Sequence, residues 1–304
     1  MKVLFVFIDG LGLGKKDAGR NPLVRFDPSF FRRLFGGPLT DELGSCLDDN
    51  TCLVPLDASL GVAGLPQSAT GQTSLFTGVN APCELGRHVQ GFPGPALSAI
   101  IKEKGILGQL AANGCKVTSA NMYVPHYFDL VAKRQRRHSV TTLLTLHAGL
   151  SLRSLPDMAA GEAVYHDLTN EMLSKGGFPE VTLTAPAVAG SRLVRLAARN
   201  DFTLFEYFQT DRAGHKQDWR WGQIITENLN EFLTAVHDEA PADMLIVITS
   251  DHGNFEDFAI KTHTQNAVPG IFLGFRAREA AQGCSDLTDV APRLTALMRS
   301  ERND

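Results

Sequence analysis

A chain of 304 residues suits one large α/β domain or two modest ones, and 43% hydrophobic with 20% charged residues is a globular composition, not a disordered one. Lys plus Arg number 29 against 33 Asp plus Glu, a net charge of −4 that lacks the basic footprint of a nucleic-acid binder. Five cysteines (Cys46, Cys52, Cys83, Cys115, Cys284) are an odd count with no close pair, which excludes a disulfide framework and fits a reducing compartment.

Lys2–Ile8 (KVLFVFI) is apolar at every position after Lys2, the pattern of a strand buried on both faces of a parallel sheet. Its apolar run ends at Asp9, too soon for a secretory signal or for a span of roughly 20 residues, and no later stretch comes closer. The expectation is a soluble, cytoplasmic protein with no membrane and no nucleic acid among its partners. A glycine-rich turn, Asp9-Gly10-Leu11-Gly12-Leu13-Gly14, follows the strand. Gly64–Gly78 (GLPQSATGQTSLFTG) reads as a loop entering a helix N-terminus, where exposed N–H groups favour an anion. Ala96–Leu110 has helical periodicity.

From about 124 to 186 the character changes. The basic cluster Lys133 to His138 is followed by helical patterns over Thr141–Leu150 and Ala159–Leu173. This segment reads as a helical insert, or lid, within a single catalytic domain of residues 1–304. Phe202–Phe208 is a further strand stopping near Asp211, Trp221–Val236 a helix, Met244–Thr249 a strand stopping at Ser250-Asp251-His252-Gly253, Gly270–Gly274 a strand, and Val290–Met298 a closing helix. Alternating buried strands and helices predict an α/β fold whose mostly parallel sheet carries helices on both faces. Functional groups then collect at the carboxyl ends of the strands.

Acids and imidazoles do lie there. Asp9 follows the first strand, Asp211 and His215 lie in Asp211-Arg212-Ala213-Gly214-His215, Asp251 and His252 follow the Met244–Thr249 strand, and His263 lies in Thr262-His263-Thr264. Three carboxylates with three imidazoles suit divalent zinc or manganese. Six ligands exceed one tetrahedral ion and fit two; two ions about 4 Å apart clamp both oxygens of an in-line phosphoryl displacement. Singly, each residue has a plainer reading. Asp9-Gly10 is a common turn pair, Asp251 to Gly253 could be a strand exit with a helix cap, and a loop histidine such as His263 is usually only solvated. A hydroxyl nucleophile is sought in Gly64–Gly78, where Ser68, Thr70, Thr73 and Ser74 crowd together and where Ser68 would also serve as a helix cap.

The whole set resembles the alkaline phosphatase superfamily of metalloenzymes, and within it the branch of cofactor-independent phosphoglycerate mutase and phosphopentomutase. Asp9-Gly10-Leu11-Gly12 is similar to that branch's first metal-binding turn, and Gly19 to Leu23 with Asp27 to Phe30 to the stretch that follows. Gly64-Leu65-Pro66-Gln67-Ser68 with Gly71 resembles its nucleophile motif. Asp211 to His215, Asp251 to Asn254, and His263-Thr264 with Val268-Pro269 resemble its remaining metal motifs. The resemblance covers residues 9 to 269 and implies a three-layer alkaline-phosphatase-like core. In the superfamily a glycine follows the nucleophile by ten residues, and in this branch another follows by three; Gly78 and Gly71 stand so relative to Ser68. The resemblance therefore implies Ser68 as nucleophile, one ion held by Asp9, Ser68, Asp251 and His252, and another held by Asp211, His215 and His263. It leans toward manganese, while the ligand chemistry also allows zinc.

The departures matter as well. The mutases carry a large second domain, whereas about sixty residues are available here for an insert. A small lid favours water as acceptor. The expected activity is thus a phosphohydrolase acting on a small phosphomonoester through a phosphoserine, ahead of a phosphodiesterase, a phosphomutase with a reduced lid, or a metal-binding interaction module without catalysis. The sulfatase pattern fails, because Gln72 and not arginine stands four residues after Ser68. Arg87 and His88 are candidate substrate-phosphate contacts, with a structural salt bridge as the plain alternative. The basic cluster is a solvated face or a phosphate clamp. His126, His138, His147, His166 and His237 match no motif.

Overall fold

The computed structural model describes residues 1–303. Among them, one sheet contains β1 (Lys2–Ile8), β2 (Cys46–Leu47), β3 (Thr51–Leu56), β4 (Val117–Ser119), β5 (Phe202–Tyr207), β6 (Met244–Thr249) and β7 (Val268–Gly274) in the order β2-β3-β7-β6-β1-β5-β4. Central β1 is parallel to both β5 and β6, and β4 is parallel to β5. β7 runs against β6, and β3 against β7, so β3 points the same way as the central strands. Only β7 and the short edge strand β2 oppose the common direction. The sheet is mostly parallel, as its apolar strands predict.

The two faces of β1 feed two cores, which is why nearly every residue of the strand is apolar. Val3, Phe5 and Phe7 pack with Phe76, Phe202 and Leu294, against the helices Ser68–Thr77 and Leu287–Asn303. Leu4, Val6 and Ile8 pack with Leu193, Phe205 and Phe232, against the paired helices Pro186–Ala197 and Trp219–Glu239. Each fully buried aliphatic or phenyl side chain contributes about 1.5–3 kcal/mol, so this layer of helices on either face is the main stabilising feature.

Several boundaries differ from the sequence reading. β5 stops at Tyr207, because Phe208 is already the N-cap of the helix Gln209–Lys216. The Ala96–Leu110 pattern is two helices, Pro95–Lys104 and Ile106–Ala112, broken at Gly105, whose backbone is extended. Ala159–Leu173 is not a helix. Leu155–Ala159 and Glu171–Lys175 are helical, and between them Leu168 and Asn170 adopt left-handed backbone that no α-helix accommodates. β3 was not expected. It contains Pro55, which lies opposite Pro269 of β7, so neither donates to the ladder at that pair. No helix of the described residues is long and apolar enough to cross a membrane.

Candidate functional site

Topology gathers the acids and imidazoles at one edge of the sheet. β1 ends at Ile8, just before Asp9, and β6 ends at Thr249, two residues before Asp251. β5 leads into the helix Gln209–Lys216, which places Asp211 and His215 one turn apart on one face. His263 precedes a strand instead of following one. Because β7 is antiparallel to β6, its start lies at the edge where β6 ends. A bridge between Gly253 and Thr264 then holds the His263 loop against the His252 loop, with Thr264 N–H donating to the Gly253 carbonyl at 3.0 Å. β3 also ends at this edge, and Ser68 opens the next helix. That helix approaches Asp251 so closely that a Cβ on Gly71 would lie 2.8 Å from the Asp251 carbonyl oxygen.

Two clusters result. In the first, His252 Nε2 is 3.0 Å from Ser68 Oγ, 3.3 Å from Asp9 Oδ1 and 3.5 Å from Asp251 Oδ2. In the second, Asp211 Oδ1 is 3.4 Å from His215 Nε2 and 3.6 Å from His263 Nε2, and these two nitrogens are 3.3 Å apart. The clusters adjoin, since the His252 and His263 rings stack at 3.7 Å. Each imidazole turns its Nδ1 to a backbone carbonyl: His252 to Gly253 at 3.4 Å, His263 to Pro66 at 2.8 Å and His215 to Lys261 at 2.7 Å. An Nδ1–H given to a carbonyl leaves the Nε2 lone pair free, and all three lone pairs face the clusters. Of the crowded hydroxyls, Ser68 is the one that faces in; Thr70, Thr73 and Ser74 bond to the carbonyls of Gln67, Ala69 and Thr70.

The donors fit divalent cations. Asp9 and Asp251 are buried side by side, and burial, for Asp9 followed by the neighbouring Asp251 and Asp211 charges, raises their carboxyls well above the ordinary range. Burial lowers His252 and His263 to about 4, which keeps them neutral and able to ligate. Asp9 Oδ1 is buried and accepts no hydrogen bond. Adjacent buried carboxylates with an orphaned oxygen and converging neutral imidazoles are costly alone and are satisfied by a cation. Asp9, Asp251 and His252 form one group of possible ligand atoms within 4.8 Å, and Asp211, His252 and His263 form another.

Other residues were missed by the sequence reading. Gln72 Nε2 bridges the two carboxylates, 3.3 Å from Asp9 Oδ2 and 3.1 Å from Asp251 Oδ2. Asn254 Nδ2 holds Asp211 Oδ1 at 2.8 Å. Fully buried Glu256 accepts from the Gly12 and Asn254 amides at 3.1 and 2.8 Å, from Asn266 Nδ2 at 2.9 Å and from the Thr264 hydroxyl. Glu206, a lone acid inside β5, is buried, which raises it to about 7, and accepts from Thr141. An acid in a strand otherwise apolar is a signal the sequence does carry. Arg87 and His88 do not line the cavity beside Ser68; His88 Nε2 lies 3.2 Å from the Val62 carbonyl oxygen. Arg136 of the basic cluster, and His126 and His166, do line it.

A model of the metalloenzyme superfamily matches residues 184–302, which include β5, β6, β7 and the segment from Asp211 to His263. A 2,3-bisphosphoglycerate-independent phosphoglycerate mutase of Methylobacillus flagellatus is 30% identical over 111 residues, 34% of this chain and only 22% of that relative's length. The Leishmania mexicana phosphoglycerate mutase structure shares the fold at a TM-score of 0.59 and 9% identity, over 98% of this chain and 95% of that one. Alkaline phosphatase from the Antarctic bacterium TAB5 does so at 0.57 and 12%, over 98% and 97%. The superfamily's own model thus matches the C-terminal part of the chain, and the fold of alkaline phosphatase and phosphoglycerate mutase is shared along nearly its whole length.

Proposed function

We propose that the protein is a metal-dependent phosphohydrolase that moves a phosphoryl group from a small phosphomonoester to water by way of Ser68. The observation that carries this reading is the Ser68 hydroxyl, first residue of a ten-residue helix, directed at His252 between the buried Asp9 and Asp251 carboxylates. Asp9, Ser68, Asp251 and His252 would hold one divalent ion, and Asp211, His215 and His263 a second, manganese or zinc. Such ions, when bound, neutralise charge on phosphoryl oxygens and favour the ionised form of a nearby hydroxyl.

The chain's own groups do the rest. The helix N-terminus turns its amides and positive dipole end toward the phosphoryl oxygens. Gln72 holds the Asp9 and Asp251 carboxylates together, and Asn254 holds Asp211. Ser68 Oγ forms a bond to phosphorus as the bond to the substrate alcohol breaks, and the proton lost by the serine hydroxyl ends, by way of solvent, on the departing alkoxide. Water then attacks the phosphoserine, releasing phosphate and restoring the serine. Residues 124 to 186 act as a lid; Tyr127, Arg136 and His166 from this segment line the cavity that opens on Ser68. So small a lid supports water as acceptor. The matched mutases favour a second reading, transfer back onto the substrate.

The test uses metal-loaded protein with an aryl phosphomonoester and the matching diester. Ser68→Ala should lower monoester turnover by about a thousandfold or more with metal content unchanged. Retained activity overturns the nucleophile assignment. A diester preference makes the protein a phosphodiesterase, an isomerised ester without free phosphate makes it a mutase, and metal binding without turnover of any ester leaves a binding module.

A further inference from the structure

The cavity that opens on Ser68 has a volume of about 570 Å³ and reaches well past the two clusters. A three-carbon phosphoester would leave most of it filled with water, since cavities of ~300–1,000 Å³ hold ligands of drug size. Two parts of its wall are built from aromatic rings. Tyr123 and Tyr127 lie 4.9 Å apart, and the guanidinium of Arg136 stands 5.5 Å over the Tyr127 ring. On another wall Tyr165, His166 and Phe208 form a row of mutually tilted rings, with centroids 4.1 Å and then 4.3 Å apart. Burial, with a smaller push from Arg212, lowers His166 to about 3, so the middle ring of that row is uncharged. Phenyl and phenol faces, a neutral imidazole and a planar guanidinium are the groups on which aromatic rings stack. The polar tips of Arg136 and His126 among them suit a polar ring better than a hydrocarbon chain.

We propose that this cavity binds the alcohol part of the substrate and that this part carries a planar aromatic ring, as in a nucleoside or arylalkyl phosphomonoester, stacked against the Tyr123–Tyr127 and Tyr165–His166–Phe208 walls. The inference deepens the phosphohydrolase reading and rests on it.

The experiment compares matched esters that share an alkyl leaving oxygen and differ in the ring: a nucleoside 5′-monophosphate with ribose 5-phosphate, and benzyl phosphate with propyl phosphate. On the metal-loaded full chain, the ring member of a pair should be favoured by about tenfold or more in kcat/KM. Preference in the first pair only assigns a nucleoside, and preference in both assigns the ring itself. Tyr127→Ala and Tyr165→Ala, made separately and checked by thermal unfolding, should each bring the ratio toward one. Ser68-dependent turnover with equal kcat/KM within both pairs overturns the ring inference and leaves the phosphohydrolase standing. Absence of turnover on all four overturns the phosphohydrolase reading. Equilibrium binding of the same four esters to metal-loaded Ser68→Ala then decides the ring on its own: a Kd about tenfold lower for the ring member supports it, and equal Kd values overturn it.

Discussion

Glu256 reaches none of the clusters' donor atoms, yet it joins the loop after β1, the loop after β6 and the loop before β7 through four accepted hydrogen bonds. It fills its space completely; a Cβ on Gly12 would lie 2.4 Å from its carboxyl carbon. Gly12 and Asn254 N–H share Oε2, and Thr264 and Asn266 donate to Oε1, so Glu256→Gln sets its amide N–H either against the two backbone N–H groups or against the Asn266 amide N–H. Metal affinity should fall about tenfold or more, read by metal titration of the stripped protein, and an unchanged affinity would reduce Glu256 to packing. His166 gives a second prediction at this scale. Burial takes it from an ordinary 6.5 down to about 3, so between those values the unfolded chain binds a proton that the folded chain does not. Folding stability should therefore fall as pH drops from 6.5 toward 3, by up to about 1.4 kcal/mol per pH unit from this group. Denaturant titrations of His166→Phe should show a shallower fall over that window, and an unchanged slope would mean His166 is solvated.

The helix Ser68–Thr77 is the element on which the proposed chemistry turns. Gly71, in its first turn, lies where the helix meets the Asp251 loop. In an exposed helix Gly→Ala stabilises by about 1 kcal/mol. Here the added Cβ meets a main-chain oxygen at 2.8 Å, so the sign reverses. Gly71→Ala should destabilise by about 1–3 kcal/mol, measured by denaturant unfolding, and should misplace Ser68 and lower turnover. A stabilised variant would show that the loop yields.

Across the whole molecule, the two clusters tie the ends of β1, β5 and β6 to the approach to β7, strands from both halves of the sheet. Cations held there bind the folded chain alone and add about 2.7 kcal/mol at a hundredfold excess over Kd. Chelation should lower the melting temperature by several degrees and restoration of manganese or zinc should raise it again. The same experiment on Asp9→Asn should show a smaller shift, because one donor is gone. Equal melting temperatures with and without chelator would contradict metal binding at this edge.

The central strands β1 and β6 are legible in the sequence to the residue, because a strand buried on both faces must be apolar at consecutive positions. It also pointed to the seven residues that the structure brings to one edge, Asp9, Ser68, Asp211, His215, Asp251, His252 and His263, through short motifs whose order is visible in the chain. The rest depends on contacts between distant segments. β3 is invisible locally because its Pro55 reads as a strand breaker, and is acceptable only beside Pro269. His263 reaches the site only because β7 runs antiparallel to β6. Gln72, Asn254 and Glu256 are ordinary polar residues in sequence and become positioning groups once three loops converge. The ring-lined cavity joins Tyr123, Tyr127, Tyr165 and Phe208 from segments that carry no shared pattern. Local periodicity records which face of an element is buried; which buried faces and loops meet is fixed by the order and direction of the strands.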